Sequence, residues 1–310
     1  MNTIFLNGQT PTMPPQVATV GFFDGVHKGH RFLIDKVKAR ALADGMQSMV
    51  VTFDKHPRQV LGNDYRPQML STFGEKLVLL SQTAVDNCAV IPFSQEMAQL
   101  SAREFMSQVL RDRLNVRILI IGYDNRFGHN REETFDDYVR YGKELGIEVV
   151  SNDVFVLNGV NVSSSVIRSF LLEGEVDMAR ICLGYPYTLT GKVVRGFQEG
   201  RRMGFPTANL DIADSGKLVP AGGVYAVRAR LGASMEMKRA MMNIGTRPTF
   251  QGDKRTLETF MFDFQDDIYG QILHVSFYQK IREERKFESA KELKTQLEED
   301  RKKVELLFER

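Results

Sequence analysis

Residues Gln16–His30 read QVATVGFFDGVHKGH. Gln16–Phe23 is a short apolar run with β-branched residues, the composition of a strand. It enters the turn GFFDGVHKGH, with glycine at 21, 25 and 29. A helical stretch follows over Arg31–Ala43, and Gly45 suits its end. The alternation continues downstream. Ser48–Phe53 predicts a strand, and Thr72 with Glu75 forms a capping box opening a helix through Leu80. Ala89–Phe93 predicts another strand, and Ser101 with Glu104 opens a helix to about Arg113. Val116–Ile121 (VRILII) is almost wholly apolar, as a strand covered on both faces should be. Glu132–Leu145 predicts a helix and Ile147–Val150 a strand. Repeated β–α–β units of this size imply a Rossmann-like α/β domain with a parallel sheet. Such sheets bind ligands at the carboxyl ends of their strands.

The period changes near residue 183. Tyr225, Val227, Ala229 and Leu231 form one row at period 2, and Leu273, Val275 and Phe277 another. Gly and Pro punctuate the segments between such rows, which predicts an antiparallel barrel or sandwich. Phe287–Phe308 is charged, with apolar residues at helical spacings, and reads as an amphipathic helix packed on that second unit. The expected domains are 1–182 and 183–310, joined near Cys182–Pro186.

Whole-chain quantities exclude several classes. The 310 residues suit two domains. The 41 Lys and Arg against 39 Asp and Glu leave a net charge of +2, so no basic field advertises nucleic acid or an anionic membrane. Two cysteines, Cys88 and Cys182, form no CxxC pair, which suits a reducing cytoplasm. MNTIFLNGQTPTMPP lacks the basic and apolar regions of a signal peptide, and no apolar run approaches the ~18 residues of a membrane span. A cytoplasmic monomer or weak homo-oligomer acting on small molecules is expected.

The candidate chemistry begins with His27 and His30. Imidazoles three residues apart at a helix start can face one anion, together with the backbone N–H groups of that start. Gly21, Gly25 and Gly29 allow close backbone approach. The competing reading is turn glycines beside surface histidines. A zinc site lacks a third ligand nearby, and without GxxxxGK[ST] the turn is no P-loop. In the second half, Glu258 shares a strand row with Phe260, Phe262 and Phe264 on the period-2 reading. A carboxylate there is costly unless paired or functional. The alternative has Leu257, Thr259 and Met261 facing inward and the Glu258 row facing solvent. Thr207 and Asn209, in PTAN, place oxygens on one side of an extended segment.

HxGH after a first strand resembles the nucleotidyltransferase superfamily. GFFDGVHKGH (Gly21–His30), TFDKHP (Thr52–Pro57), GYDNRFG (Gly122–Gly128) and SSSVIR (Ser163–Arg168) together resemble the prokaryotic FAD synthetase module. The resemblance implies that Gly21, Phe22, Asp24, Gly25, Gly29, Asp124, Arg126, Ser163 and Ser164 bind ATP or FMN. It also implies that His27, His30 and Arg168 act on the phosphates. Asn125 stands where that family usually has an aromatic residue. GFPTANL (Gly204–Leu210), PAGGVYAV (Pro220–Val227), NIGTRPTF (Asn243–Phe250) and IREERKF (Ile281–Phe287) resemble the riboflavin kinase module, an antiparallel barrel with a C-terminal helix. There the resemblance implies Thr207 and Asn209 as Mg²⁺–ATP ligands and Glu258 as general base, with Arg282 and Glu284 near the flavin. Gly191, Gly196 and Gly200, with Lys192 and Arg201–Arg202, are the candidates for a phosphate-wrapping loop. Mg²⁺ is the expected metal, with ATP, riboflavin and FMN as substrates. Two rivals remain: a nucleotidyltransferase for another substrate, and a non-catalytic flavin- or RNA-binding protein.

Overall fold

The computed structural model describes residues 1–8, 12–56, 68–123, 125–129, 132–196, 204–212, 215–249 and 252–309; the side chains of 247–249 and 252–254 are not described. The chain divides into two units, Met1–Ser164 and Ser165–Arg310.

The first unit is a six-stranded, wholly parallel sheet. Its strands are β1 (Asn2–Phe5), β2 (Gln16–Val20), β3 (Gln47–Phe53), β4 (Asn87–Ile91), β5 (Val116–Ile121) and β6 (Glu148–Ser151). They lie in the order β1-β4-β3-β2-β5-β6. From the edge strand β1 the chain crosses to β2, winds through β3 to β4, which pairs with β1, and then returns to β5 beside β2 and on to β6. The switch point lies between β2 and β5, where an open α/β sheet leaves a crevice at its carboxyl edge. The strands are apolar on both faces because both faces are covered. Val17, Val50, Val90 and Ile118 pack under α1 (Lys28–Ala43) and α2 (Phe73–Ser81), through Leu33, Ile34, Val37 and Leu80. Ala18, Met49, Ala89 and Leu119 face the other layer. That layer is built from α3 (Gln95–Gln99), α4 (Ala102–Glu104), a π-helical turn (Phe105–Arg111) and α5 (Phe135–Leu145). A hairpin of β7 (Val156–Leu157) and β8 (Val160–Asn161) follows.

Both expected capping boxes form, at Thr72/Glu75 and Ser101/Glu104. A third at Thr134/Asp137 starts α5 three residues later than the sequence pattern suggests. The edge strand β1 and the hairpin have no expectation to match, being too short to carry a period.

The second unit opens with α6 (Ser164–Glu173, its first residue shared with the first unit) and α7 (Val176–Leu183). A closed antiparallel barrel follows, of β9 (Thr188–Val194), β10 (Ala208–Asp211), β11 (Gly223–Leu231), β12 (Lys238–Thr249), β13 (Gly252–Met261) and β14 (Ile272–Arg282). Its interior is filled by one side of each ladder, including Tyr225, Val227, Met242 and Phe277, all fully buried. On the outer side Ala226, Met241, Phe260 and Phe262 pack under Val304 of α8 (Ala290–Phe308). The terminal helix is therefore amphipathic and lies on the barrel, starting three residues later than expected.

By packing, α6 and α7 group with the barrel, so the compact units meet at Ser164/Ser165, ahead of the module boundary expected at 182/183. The Ala221 N–H donates to the Leu171 carbonyl (2.9 Å), and α7 packs on β14. One expectation needs correction: the Glu258 row is shorter than expected. Phe262 and Phe264 lie beyond the end of β13, where Asp263 turns at φ 53°. Leu257, Thr259 and Met261 do face inward, yet the opposite face is covered by α8 at Phe260 and not open to solvent there.

Candidate active sites

In the first unit the β2 turn is held from several sides. Asp24 is buried, and its carboxylate accepts from the N–H groups of Leu70 (2.9 Å) and Ser71 (3.0 Å) and from the Ser71 hydroxyl (3.1 Å). The Ser71 hydroxyl in turn accepts from the Gly25 N–H. Gly25 has φ 75°, a conformation that favours glycine. Asp24 and Gly25 are thus structural pins of the turn.

His27 is the N-cap of α1. Its Nδ1 accepts from the His30 backbone N–H at 3.3 Å. A neutral His27 in this role must carry its proton on Nε2. The His27 and His30 rings stack with centroids 3.6 Å apart and 19° between planes, and Phe23 meets His30 edge-on. Burial, then His27, then Lys76 hold His30 well below the ordinary imidazole range. Two imidazolium rings in such a stack would repel, so the pair holds at most one proton readily. Together they present polar, chargeable edges at a helix N-terminus, an arrangement suited to an anion.

Val162 and Ser164, at the start of the fourth sequence block, lie against the first. A side chain at Gly29 would bring its Cβ to 3.0 Å from the Val162 carbonyl and 3.2 Å from His27 Nδ1. The Ser164 hydroxyl donates to the Asp24 carbonyl at 3.0 Å. Ser163 precedes α6, and Arg168 lies one turn into it, half-buried. The third block also converges: the Asn125 amide donates to the Val20 carbonyl, tying the β5 loop to the end of β2 across the switch point. The departure from an aromatic residue thus supplies an amide tie. Arg126 is exposed, Gly21 packs on the Phe23 ring, and Phe22 is half-buried with its ring against His56. Asp124 lies outside the described residues.

In the barrel, Asn209 of β10 pairs with Glu258 of β13, which pairs with Asn243 of β12. Residues paired across adjacent strands share a face, so these three polar residues form one row. Thr207, just before β10, donates its hydroxyl to Glu258 Oε2 at 3.3 Å. A Cβ on Gly196 would fall inside the Asn209 amide, so glycine there lets the β9 end close over Asn209. Gly245 plays the same part for Glu284: its Cβ would lie 2.5 Å from Glu284 Oε1 and 3.2 Å from Asn243 Nδ2. Thr207, Asn209, Glu258 and Glu284 therefore gather on one barrel edge. Asn243 completes the row, and the sequence reading passed over it. Its signal was the period, since Asn243 and Gly245 are i, i+2 within one strand.

Gly191 and Lys192 are not in a loop. Both lie within β9, where Gly191 permits close passage of the Asp211 carbonyl and Lys192 is exposed. Gly200, Arg201 and Arg202 lie outside the described residues. Arg282 directs Nε to the fully buried carboxylate of Asp300 on α8 at 2.9 Å and one Nη to the Glu283 carbonyl. Among the described residues no group of three or more His, Cys, Asp or Glu side chains forms a metal cage. The oxygens on offer at the barrel edge are the neutral ones of Thr207 and Asn209 beside Glu258. That set fits a cation whose charge is met mostly by phosphates.

No helix among the described residues is long and apolar enough to cross a membrane. Residues 9–166 match the FAD synthetase family model, and residues 183–308 match the riboflavin kinase model. The bifunctional riboflavin kinase/FMN adenylyltransferase of Escherichia coli K12 is 37% identical over 284 residues, 92% of this chain and 90% of that one. Its Bacillus subtilis counterpart is 35% identical over 297 residues, 93% and 91% of the two chains. A crystal structure described as a macrolide-efflux protein from Streptococcus pneumoniae superposes with TM-score 0.88 at 32% identity, covering 98% of this chain and 99% of that one. With both halves matched in order and relatives aligned over nearly their full length, the chain belongs to the bifunctional riboflavin kinase/FMN adenylyltransferase family, which makes FMN from riboflavin and FAD from FMN.

Proposed function

We propose that the two polar clusters divide the two reactions between them, the barrel edge phosphorylating riboflavin and the histidine turn adenylylating FMN. The convergence of Thr207, Asn209 and Glu258 carries the first assignment. Glu258 takes the proton of the terminal ribityl hydroxyl. That oxygen bonds to the γ-phosphorus of ATP while the bond from γ-phosphorus to the β–γ bridging oxygen breaks, and ADP leaves. Thr207 and Asn209 offer oxygens to the Mg²⁺ that arrives with ATP. The Thr207 hydroxyl also orients the carboxylate before substrate binds. Lys192, Gly191 and Gly196 line the approach from β9, with Glu284 and Arg282 on the flavin side.

In the second reaction an oxygen of the FMN phosphate bonds to the α-phosphorus of another ATP, and pyrophosphate leaves. The nucleophile is already anionic, so no strong base is needed. His27 donates from Nε2, and with His30, Arg168, Ser163 and Ser164 it offsets charge gathering on the phosphates. Gly21, Phe22, Gly25 and Gly29 shape the turn, and Asp124 and Arg126 complete the nucleotide side. The substrates are small molecules, and the setting is the cytoplasm, without nucleic acid or membrane, as a monomer or weak homo-oligomer.

Chromatographic separation of flavins tests this division. Glu258→Ala should abolish FMN formation from riboflavin, ATP and Mg²⁺ while conversion of supplied FMN to FAD stays within twofold. His27→Ala with His30→Ala should do the reverse. Equal loss of both steps in either variant sinks the separation of sites.

A further inference from the structure

Lys76 is a buried ammonium that neither reaction uses. It lies on α2 and is 2% exposed. Its Nζ donates to the Phe53 carbonyl (2.8 Å), the Phe22 carbonyl (3.1 Å) and the Thr52 hydroxyl (3.2 Å). An ammonium has three protons, and these are three acceptors. The same nitrogen sits 4.1 Å from the centroid of the Phe22 ring, whose other neighbour is the edge of His56 at 4.8 Å. Burial lowers its pKa to about 8, with Asp24, Cys88 and Asp54 opposing, so it remains a cation at neutral pH.

Keeping a cation here is costly, since each buried charge must recover its lost hydration from its partners. A methionine would fill similar volume without that cost. What it would not do is hold the Phe22 and Phe53 carbonyls. These lie at the carboxyl ends of β2 and β3, the edge where the histidine turn begins. Lys76 occupies both and joins the first sequence block, Gly21–His30, to the second, Thr52–Pro57. Its charge also acts on His30.

We propose that Lys76 is a positioning residue of the adenylylation step, clamping the ends of β2 and β3 and fixing Phe22 so that the His27–His30 pair is set for the phosphates. This rests on the histidine turn being the adenylylation site. A purely structural staple would alter stability and leave turnover in the folded enzyme alone. A positioning residue lowers kcat with KM nearly unchanged, because the groups it sets matter most in the transition state.

The test uses the full chain with FMN and Mg²⁺–ATP, reading FAD by chromatography, and riboflavin phosphorylation in the same preparation. Lys76→Met should lower kcat for FAD formation at least tenfold, with KM for ATP and for FMN within threefold and kinase turnover within twofold. Lys76→Arg, which restores charge and donors, should regain at least a third of the parental kcat. A kcat within twofold of the parent in Lys76→Met, or a loss confined to KM, overturns the proposal. If Lys76→Met is insoluble, the near-isosteric Thr52→Val keeps the cation but removes one of its acceptors together with the Thr52 hydroxyl's own bond to the Phe22 carbonyl (3.1 Å). It should lower kcat about threefold at constant KM, and an unchanged kcat overturns the proposal. The His27→Ala, His30→Ala protein is the parallel arm. Loss of FAD formation there with none in Lys76→Met rejects Lys76 alone, and no loss in either rejects the site.

Discussion

His27 and His30 show how one spacing serves two ends. The N-cap of a helix and its third residue are three apart, and the N-cap side chain bonds to the backbone N–H of that residue. HxxH at a helix start therefore fixes the first imidazole by capping and brings the second onto it as a stack. The sequence pattern revealed that the rings share a side, but not that one nitrogen of His27 is already spent on α1. A pH dependence follows from His30. Its pKa in the folded chain is depressed, whereas an unfolded histidine titrates near 6.5. Below about pH 6.5 the unfolded chain binds a proton that the folded chain refuses, so stability falls as pH drops. Denaturant unfolding of the first unit should therefore show a lower midpoint at pH 5.5 than at pH 7.5, and His30→Asn should reduce that difference. Equal pH sensitivity of parent and variant would place the effect elsewhere.

At the scale of elements, the patterns that read most reliably were those with a local mechanism. Thr72/Glu75 and Ser101/Glu104 marked helix starts because each box satisfies two backbone donors within four residues. Thr134/Asp137 uses the shorter acid and escaped a template written for glutamate. Side-chain partners distant in sequence were not legible, and Arg282 is the clearest case. IREERK reads as an exposed charge cluster or a flavin contact, yet Arg282 Nε is bonded to Asp300, 18 positions on and fully buried. This pair fastens α8 to β14, and Gln296 donates to the other oxygen of Asp300. Removing one partner of a buried pair strands the other charge, at roughly 3–5 kcal/mol. Asp300→Ala should lower barrel stability by about that amount in a urea titration. Asp300→Leu with Arg282→Met should recover most of it, since the cost lies in the stranded charge. A loss under about 1 kcal/mol in Asp300→Ala would show that α8 is held by Val304 and its apolar neighbours alone.

Across the whole molecule, the sequence marks the change from one fold class to the other near residue 183, while the packing groups two further helices with the barrel. Gly184 and Pro186 look like a linker. Gly184 has φ 84° and caps α7, its N–H donating to the Arg180 carbonyl, so this punctuation ends a helix. Helical period alone cannot say which neighbour a helix packs against, and α6 and α7 are claimed by the barrel. Leu171, Val176, Ala179, Cys182 and Leu183 are at most 1% exposed. Gly174 lies so near the Tyr225 hydroxyl that a Cβ would be 3.0 Å from it. Burial of a large aliphatic side chain contributes about 1.5–3 kcal/mol. A kinase fragment beginning at 184 forfeits several such contributions and leaves the Ala221 N–H without the Leu171 carbonyl. A domain of ordinary stability has only about 5–15 kcal/mol to lose. A fragment of residues 165–310 should therefore fold and phosphorylate riboflavin at a rate near that of the full chain. The 184–310 fragment should melt many degrees lower or fail to stay in solution. Equal melting temperatures by circular dichroism would mean that the barrel closes without α6 and α7.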